Sequence, residues 1–267
     1  MKTKLSIGFS PCPNDTFIFD ALVNEKIETP FTFETQLHDV EALNRKAFAD
    51  EYVVTKLSYH AWLYLQDQYE LLEAGSALGM GCGPLLIAKP GIDLSRSDLQ
   101  IAIPGRMTTA NFLFSAAFPQ WKQNTIPMLF SDIEGAVLKG IVDAGVIIHE
   151  NRFTYQDKGL HCVKDLGDWW ETTTGAAIPL GCIALRKDHL AFKADLEKAI
   201  RASLDYSYAQ GEILSEYVQC HAQEMSMKVM RQHIDLYVNR FSYDLGVEGH
   251  KAIAAMQSFW QNMKSEN

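Results

Sequence analysis

The chain has 267 residues, of which 47% are hydrophobic and 21% charged, an ordinary globular composition with room for two lobes or one large domain. A net charge of -9 argues against nucleic acid held on a broad phosphate-neutralising surface. It leaves room for an anionic small molecule, which a few backbone N–H groups and one cation can hold.

Read in chain order, apolar β-branched runs alternate with helical patterns as far as residue 190. Strands are expected at 4–9, 31–37, 52–57, 69–73, 84–89, 100–104, 125–130, 144–149, 160–164 and 181–186. Helices are expected at 13–23, 39–49, 58–67, 109–118, 131–139 and 165–173. That alternation predicts an α/β protein with a mostly parallel sheet covered on both faces. Beyond Asp188 the pattern becomes helical, at 190–209, 211–222, 226–239 and 247–264. Lys89-Pro-Gly91 is the best internal break, and a second α/β unit starts near Leu99.

Five scattered cysteines, with no C-x-x-C pair, suggest neither a disulfide framework nor a zinc site. The first apolar run breaks at Pro11, too early for a secretory signal. No stretch approaches the roughly 18 apolar residues needed to span a bilayer. A cytoplasmic location is expected.

Three strand-to-helix junctions stand out. At the first, Leu5–Phe9 runs into Ser10-Pro-Cys-Pro-Asn-Asp-Thr-Phe-Ile-Phe19. Pro13 falls in the first helical turn, where no backbone N–H is needed, and Asp15 sits where the helix dipole favours a carboxylate. Such a junction is either a tight βα connection or a ligand-binding strand edge, and Asn14 is its candidate contact. At the second, Lys56-Leu-Ser58, the serine is placed to cap the following helix, and Lys56 or Ser58 is within reach of a ligand. At the third, Gly105 allows a sharp turn and Thr108 is a plausible N-cap, so that the amides of Thr109 and Ala110 point outward as an anion site. Arg106 is either a carboxylate partner or a surface residue.

His149 follows the apolar run Gly145–Ile148 and is the strongest acid/base candidate, since imidazole titrates near neutrality. The other reading is a strand-end histidine bonded to nearby backbone. Glu150 is expected on the opposite strand face, as a solvent or interlobe charge. Gly79–Pro84 is glycine-rich but fits no phosphate-cradling motif and reads as a crossing loop. Cys82 has no neighbouring cation. Trp169, Trp170 and Tyr155 read as packing residues or a pocket wall. His38, His60, His161, His189, His221, His233 and His250 show no metal-ligand spacing and read as surface or satisfied core residues.

Six blocks together carry a family resemblance. They are the Ser10–Phe19 segment, Thr55–Tyr59, Ala77–Pro84, Ile103–Ala110, Ala144–Glu150 with Arg152–Tyr155, and Tyr237–Asn239. In this order they resemble the 1,4-dihydroxy-6-naphthoate synthases of the futalosine route to menaquinone. The resemblance implies a two-lobed periplasmic-binding-protein-like (type 2) fold with a helical C-terminal part. Residues 1–89 and 181–267 would form the larger lobe and 90–180 the smaller, with both lobes closing on the ligand. It implies a lyase acting on cyclic dehypoxanthinylfutalosine, with His149 as acid/base, Thr109 and Ala110 on a carboxylate or oxyanion, and Asn14, Lys56 and Ser58 as further substrate contacts. No metal, nicotinamide or flavin is expected. The partner is a small carboxylate, with no nucleic acid and no membrane insertion. Two other readings are a solute-binding protein of the same fold and the sister chorismate dehydratase.

Overall fold

The computed structural model describes residues 2–222 and 226–265. The elements in chain order are β1 (Thr3–Phe9), α1 (Pro13–Val23), β2 (Phe31–Leu37), α2 (Val40–Phe48), β3 (Val54–Ser58), α3 (Tyr59–Leu65), β4 (Tyr69–Leu71), β5 (Ala77–Gly79) and β6 (Leu85–Ala88). There follow β7 (Ile101–Ile103), α4 (Thr109–Ala117), β8 (Thr125–Pro127), α5 (Ile133–Lys139), β9 (Ala144–Ile147), α6 (Asn151–Thr154), β10 (His161–Asp165), α7 (Leu166–Thr174) and β11 (Ile178–Arg186). The rest is helical: α8 (Lys193–Ala209), α9 (Glu216–His221), α10 (Met227–Tyr237), α11 (Arg240–Tyr243) and α12 (Gly246–Ser265).

The chain forms two compact units, one of residues 1–79 and 179–250, the other of 80–178 and 251–267. This differs from the expected division at two places. Leu85–Ala88 pairs with β9 and β10, so the first boundary precedes that strand and Lys89-Pro-Gly91 is a turn within the second unit. Residues from 251 onward also belong to the second unit, where the Phe259 ring packs against Phe112, Trp169 and Trp170.

The sheet of the first unit has the order β2-β1-β3-β11-β4, with β5 paired to β11. β1 runs parallel to β2 and β3, whereas β11 returns antiparallel between β3 and β4. The second sheet, β10-β6-β9-β7-β8, is parallel across β7–β8 and β7–β9 and antiparallel at β6. Both sheets are therefore mixed, not mostly parallel as expected. The antiparallel strands β6 and β11 each follow a unit boundary, and neither is joined to its neighbours by a βα crossover.

α1 is buried along almost its whole length, from Pro13 to Leu22. Its apolar residues Phe17, Ile18, Phe19, Ala21 and Leu22 face several directions, so the helix is covered on more than one side. α8, α9 and α10 pack on α1, and Phe9 of β1 lies 4.7 Å from Phe19, centroid to centroid. Polar ties fix the helix pair: the Leu22 amide donates to Ser203 Oγ and the Ser207 hydroxyl to the Phe17 carbonyl. In the second unit Leu85, Ile87, Ala102, Ile133, Val137 and Ile147 form the core beneath the sheet. The expected helix over 211–222 is shorter, because Gly211 turns left-handed at φ 72° and Ser215 caps a fresh start, its hydroxyl accepting from Val218 N.

Candidate active site

In the first unit the Ser10–Phe19 segment builds a polar cluster at the end of β1. The Asp15 carboxylate accepts four hydrogen bonds. Oδ2 takes the Ser10 hydroxyl at 2.7 Å and the Ser10 amide at 3.2 Å, and Oδ1 takes Lys56 Nζ at 2.7 Å and Asn14 Nδ2 at 2.9 Å. The Asp15 and Lys56 side chains are 1% and 6% exposed, so this is a buried ion pair with its lone pairs satisfied. Lys56 is expected as a substrate contact; its charge is balanced by Asp15, which holds the ammonium in place.

Asn14 has its own constraint. Its amide nitrogen faces a carboxylate and must donate, so Oδ1 is turned toward His233 Nε2 at 2.9 Å. A carbonyl oxygen only accepts, so His233 carries a proton on Nε2. Ser58 occupies the N-cap position of α3 without capping it. Its hydroxyl accepts from Asn44 Nδ2 at 3.1 Å, and its amide donates to Asn44 Oδ1 at 2.9 Å. The expected cap is replaced by this two-point tie to α2.

In the second unit α4 starts as expected. Thr108 is the N-cap, accepting from Asn111 N at 3.2 Å and donating to the Gly105 carbonyl at 2.8 Å. Gly105 has φ of 150°, a backbone that favours glycine. Thr109 and Ala110 are the first two residues of α4, at the end where the helix dipole favours an anion. Both residues are buried, while Arg106 is exposed.

His149 does not end a strand. β9 stops at Ile147, and His149 lies in the following turn with φ of 58°. Left-handed backbone is uncommon for a residue with a Cβ and marks a position fixed by its surroundings. The Phe130 ring stands edge-on to the imidazole, with centroids 4.9 Å apart. Glu150, expected as a solvent or interlobe charge, is 6% exposed and lies in the same turn, so strand alternation does not govern it. Arg152 secures the far side of the turn by donating to the carbonyls of Gly81 and Gly83 and to Asp165.

The five cysteines are free thiols. Burial pushes the Cys82 and Cys182 thiols up to about 12, which makes both poor nucleophiles at neutral pH. Trp170 is fully buried and Tyr155 nearly so. The hub role of Asp15 and the partnership of His233 with Asn14 do not show in the residue pattern. Asp15 carried a local signal, a carboxylate in a first helical turn; His233 carried none, since its partner is 219 residues away.

These units, each a mixed sheet wrapped by helices, define a protein of the periplasmic-binding-protein-like fold. The crystal structure of the periplasmic aliphatic sulphonate-binding protein of Escherichia coli matches with a TM-score of 0.63 at 14% identity, covering 98% of this chain and 88% of that one. A protein of Archaeoglobus fulgidus of known crystal structure is similar with a TM-score of 0.89 and 34% identity, covering 98% of both chains. The sequence profile of a family described as menaquinone biosynthesis matches residues 5–261, and the chain belongs to that family. It is 45% identical over 255 residues to the 1,4-dihydroxy-6-naphthoate synthase of Thermus thermophilus, covering 94% of this chain and 92% of the relative.

Proposed function

We propose that the protein is a 1,4-dihydroxy-6-naphthoate synthase that acts on cyclic dehypoxanthinylfutalosine as a carbon–carbon lyase in the cytoplasm. The observation that carries this reading is the 45% identity, spread over 94% of the chain, to a synthase of that name. It favours the synthase over a solute-binding protein or the sister chorismate dehydratase.

In this reading His149 takes a proton from the substrate skeleton, a carbon–carbon bond breaks, and aromatisation of the naphthoate draws the reaction forward as a small sugar-derived fragment leaves. An imidazole is suited to both halves of such a transfer because its ordinary pKa lies near neutrality. The Thr109 and Ala110 amides take the substrate carboxylate or a developing oxyanion, since fixed N–H dipoles need no reorganisation as charge develops. Asn14 and Ser58 offer polar contacts, and Lys56 acts with Asp15 as one neutral, preorganised group.

The direct test is incubation of the purified protein with cyclic dehypoxanthinylfutalosine and detection of 1,4-dihydroxy-6-naphthoate. Recovery of the compound unchanged would favour the binding-protein reading. Inertness toward it together with dehydration of chorismate would favour the sister enzyme.

A further inference from the structure

Glu134 is a buried carboxylate that the chemistry above does not use. It lies in the first turn of α5, and its side chain is 3% exposed. One oxygen, Oε2, accepts from Asn151 Nδ2 at 2.5 Å and from Lys158 Nζ at 2.6 Å. The other, Oε1, is buried with no hydrogen-bond partner. Burying a carboxylate with half its acceptor capacity unused is costly, and such a group persists where its geometry is needed.

What it grips is the segment that carries His149. Asn151 is two residues beyond His149 and begins α6, whose first bonds close back over the turn: Arg152 N to the His149 carbonyl at 3.4 Å and Phe153 N to the Glu150 carbonyl at 2.9 Å. Lys158 lies just beyond the same segment, before the left-handed Gly159. Glu134 thus joins both ends of residues 151–158 to α5. Phe130, which opens the short 3-10 turn Phe130–Asp132 leading into α5, supplies the ring against the imidazole.

Independent support comes from Gly145 of β9. A Cβ there would lie 2.4 Å from Ile133 Cγ2 and 3.2 Å from Val137 Cγ2. Only glycine lets α5 settle this closely on the strand that leads to His149. Close seating of α5 is what brings Glu134 within reach of Asn151.

We propose that Glu134 is a positioning residue for His149, holding the left-handed turn through Asn151 and Lys158. The proposal rests on the reading of His149 as the acid/base group. Its logic is geometric: a displacement of about 1 Å at a reacting group costs about 10²-fold in rate.

The test compares Glu134→Ala, Glu134→Gln and Asn151→Ala, each alone and combined with His149→Asn. Asn151→Ala cuts the same tie while leaving the Glu134–Lys158 pair intact, so it serves if Glu134→Ala fails to fold. The expected result is a fall in kcat of about tenfold to 10²-fold for Glu134→Ala and Asn151→Ala with little change in KM. Glu134→Gln, which keeps an acceptor for Asn151, should restore most of that loss. Neither loss should appear again in the His149→Asn background. Unchanged kcat in both single variants, or an equal loss with and without His149, overturns the proposal. A His149→Asn protein with full kcat would instead remove His149 as the base. Positioning is then decided by the His149 imidazole NMR resonances: displaced in Asn151→Ala they support it, unmoved they overturn it.

Discussion

His233 Nε2 lies 2.9 Å from Asn14 Oδ1, joining residues 219 positions apart in the chain. Because Asn14 also donates to Asp15, this contact fixes which way the amide faces. A buried acceptor deprived of its donor costs about 1–3 kcal/mol. His233→Leu should therefore lower stability by about that amount, read from denaturant unfolding. His233→Gln, which keeps a donor, should lose less. Equal losses would show that the ring's packing, not its N–H, is what matters.

The Lys56–Asp15 pair makes a sharper demand. Removing one member of a buried pair strands the other charge, at about 3–5 kcal/mol. Asp15→Ala should cost about this much, while the double variant Lys56→Met with Asp15→Asn, which has no buried charge, should recover part of the loss. A double variant no more stable than Asp15→Ala would argue that the ammonium is reached by water.

His149→Asn should lower kcat by about 10²–10⁴-fold, the usual contribution of a general acid–base group. Asparagine is chosen because it tolerates the left-handed backbone seen at this position. Circular dichroism and thermal unfolding should match the parent protein. Near-parental kcat would exclude His149 from proton transfer.

Ala110 is the second residue of α4, where its N–H has no intrahelical acceptor and proline is tolerated. Ala110→Pro should weaken binding of the naphthoate product, measured calorimetrically, by more than it lowers thermal stability. Unchanged product affinity in the folded variant would move the carboxylate away from this turn.

The thiols give a pH-dependent prediction. Cys220 is exposed and should be alkylated first, whereas Cys82 and Cys182 should stay protected in the native state. Burial raises the Cys82 and Cys182 pKa values from 9.0 to about 12. A raised folded-state pKa means the neutral thiol is the native form. Its contribution is whole below pH 9, the unfolded value, and is lost as pH rises toward about 12. Cys182→Ala should flatten that alkaline loss in a series of unfolding curves. An unaltered alkaline limb would assign the loss to other groups.

Much of the fold was legible because local chemistry and burial agree. α1 is expected at 13–23 and is found there, since Pro13 at its start, Asp15 in its first turn and the apolar Phe17–Phe19 point to one answer. The Thr108 cap was legible for the same reason. β5, α6 and α11 were not, being three or four residues long and too short to show a period. Strand direction was also hidden: nothing within Ile178–Arg186 says that it enters the sheet antiparallel. At the site, candidates were visible as residue types, but their partners were not. Lys56 reads only as a residue within reach of a ligand until Asp15, 41 residues away, is seen against it, and Ser58 as a cap until Asn44 is.

The strand order of the first sheet has a consequence for biogenesis. β11 lies between β3 and β4, so a ribosome that has released only the first 80 residues has produced β2, β1 and β3 with β4 and β5 still unpaired to them. The donor for Asn14 arrives later still, with residue 233. The opening segment of the polypeptide is thus among the last parts to be finished. During synthesis it must wait, with Phe17, Ile18 and Phe19 uncovered, for helices that have not yet been made. A chain stalled before α10 would present that apolar stretch to chaperones and proteases, and truncations there should be cleared rather than accumulate as a stable half-protein.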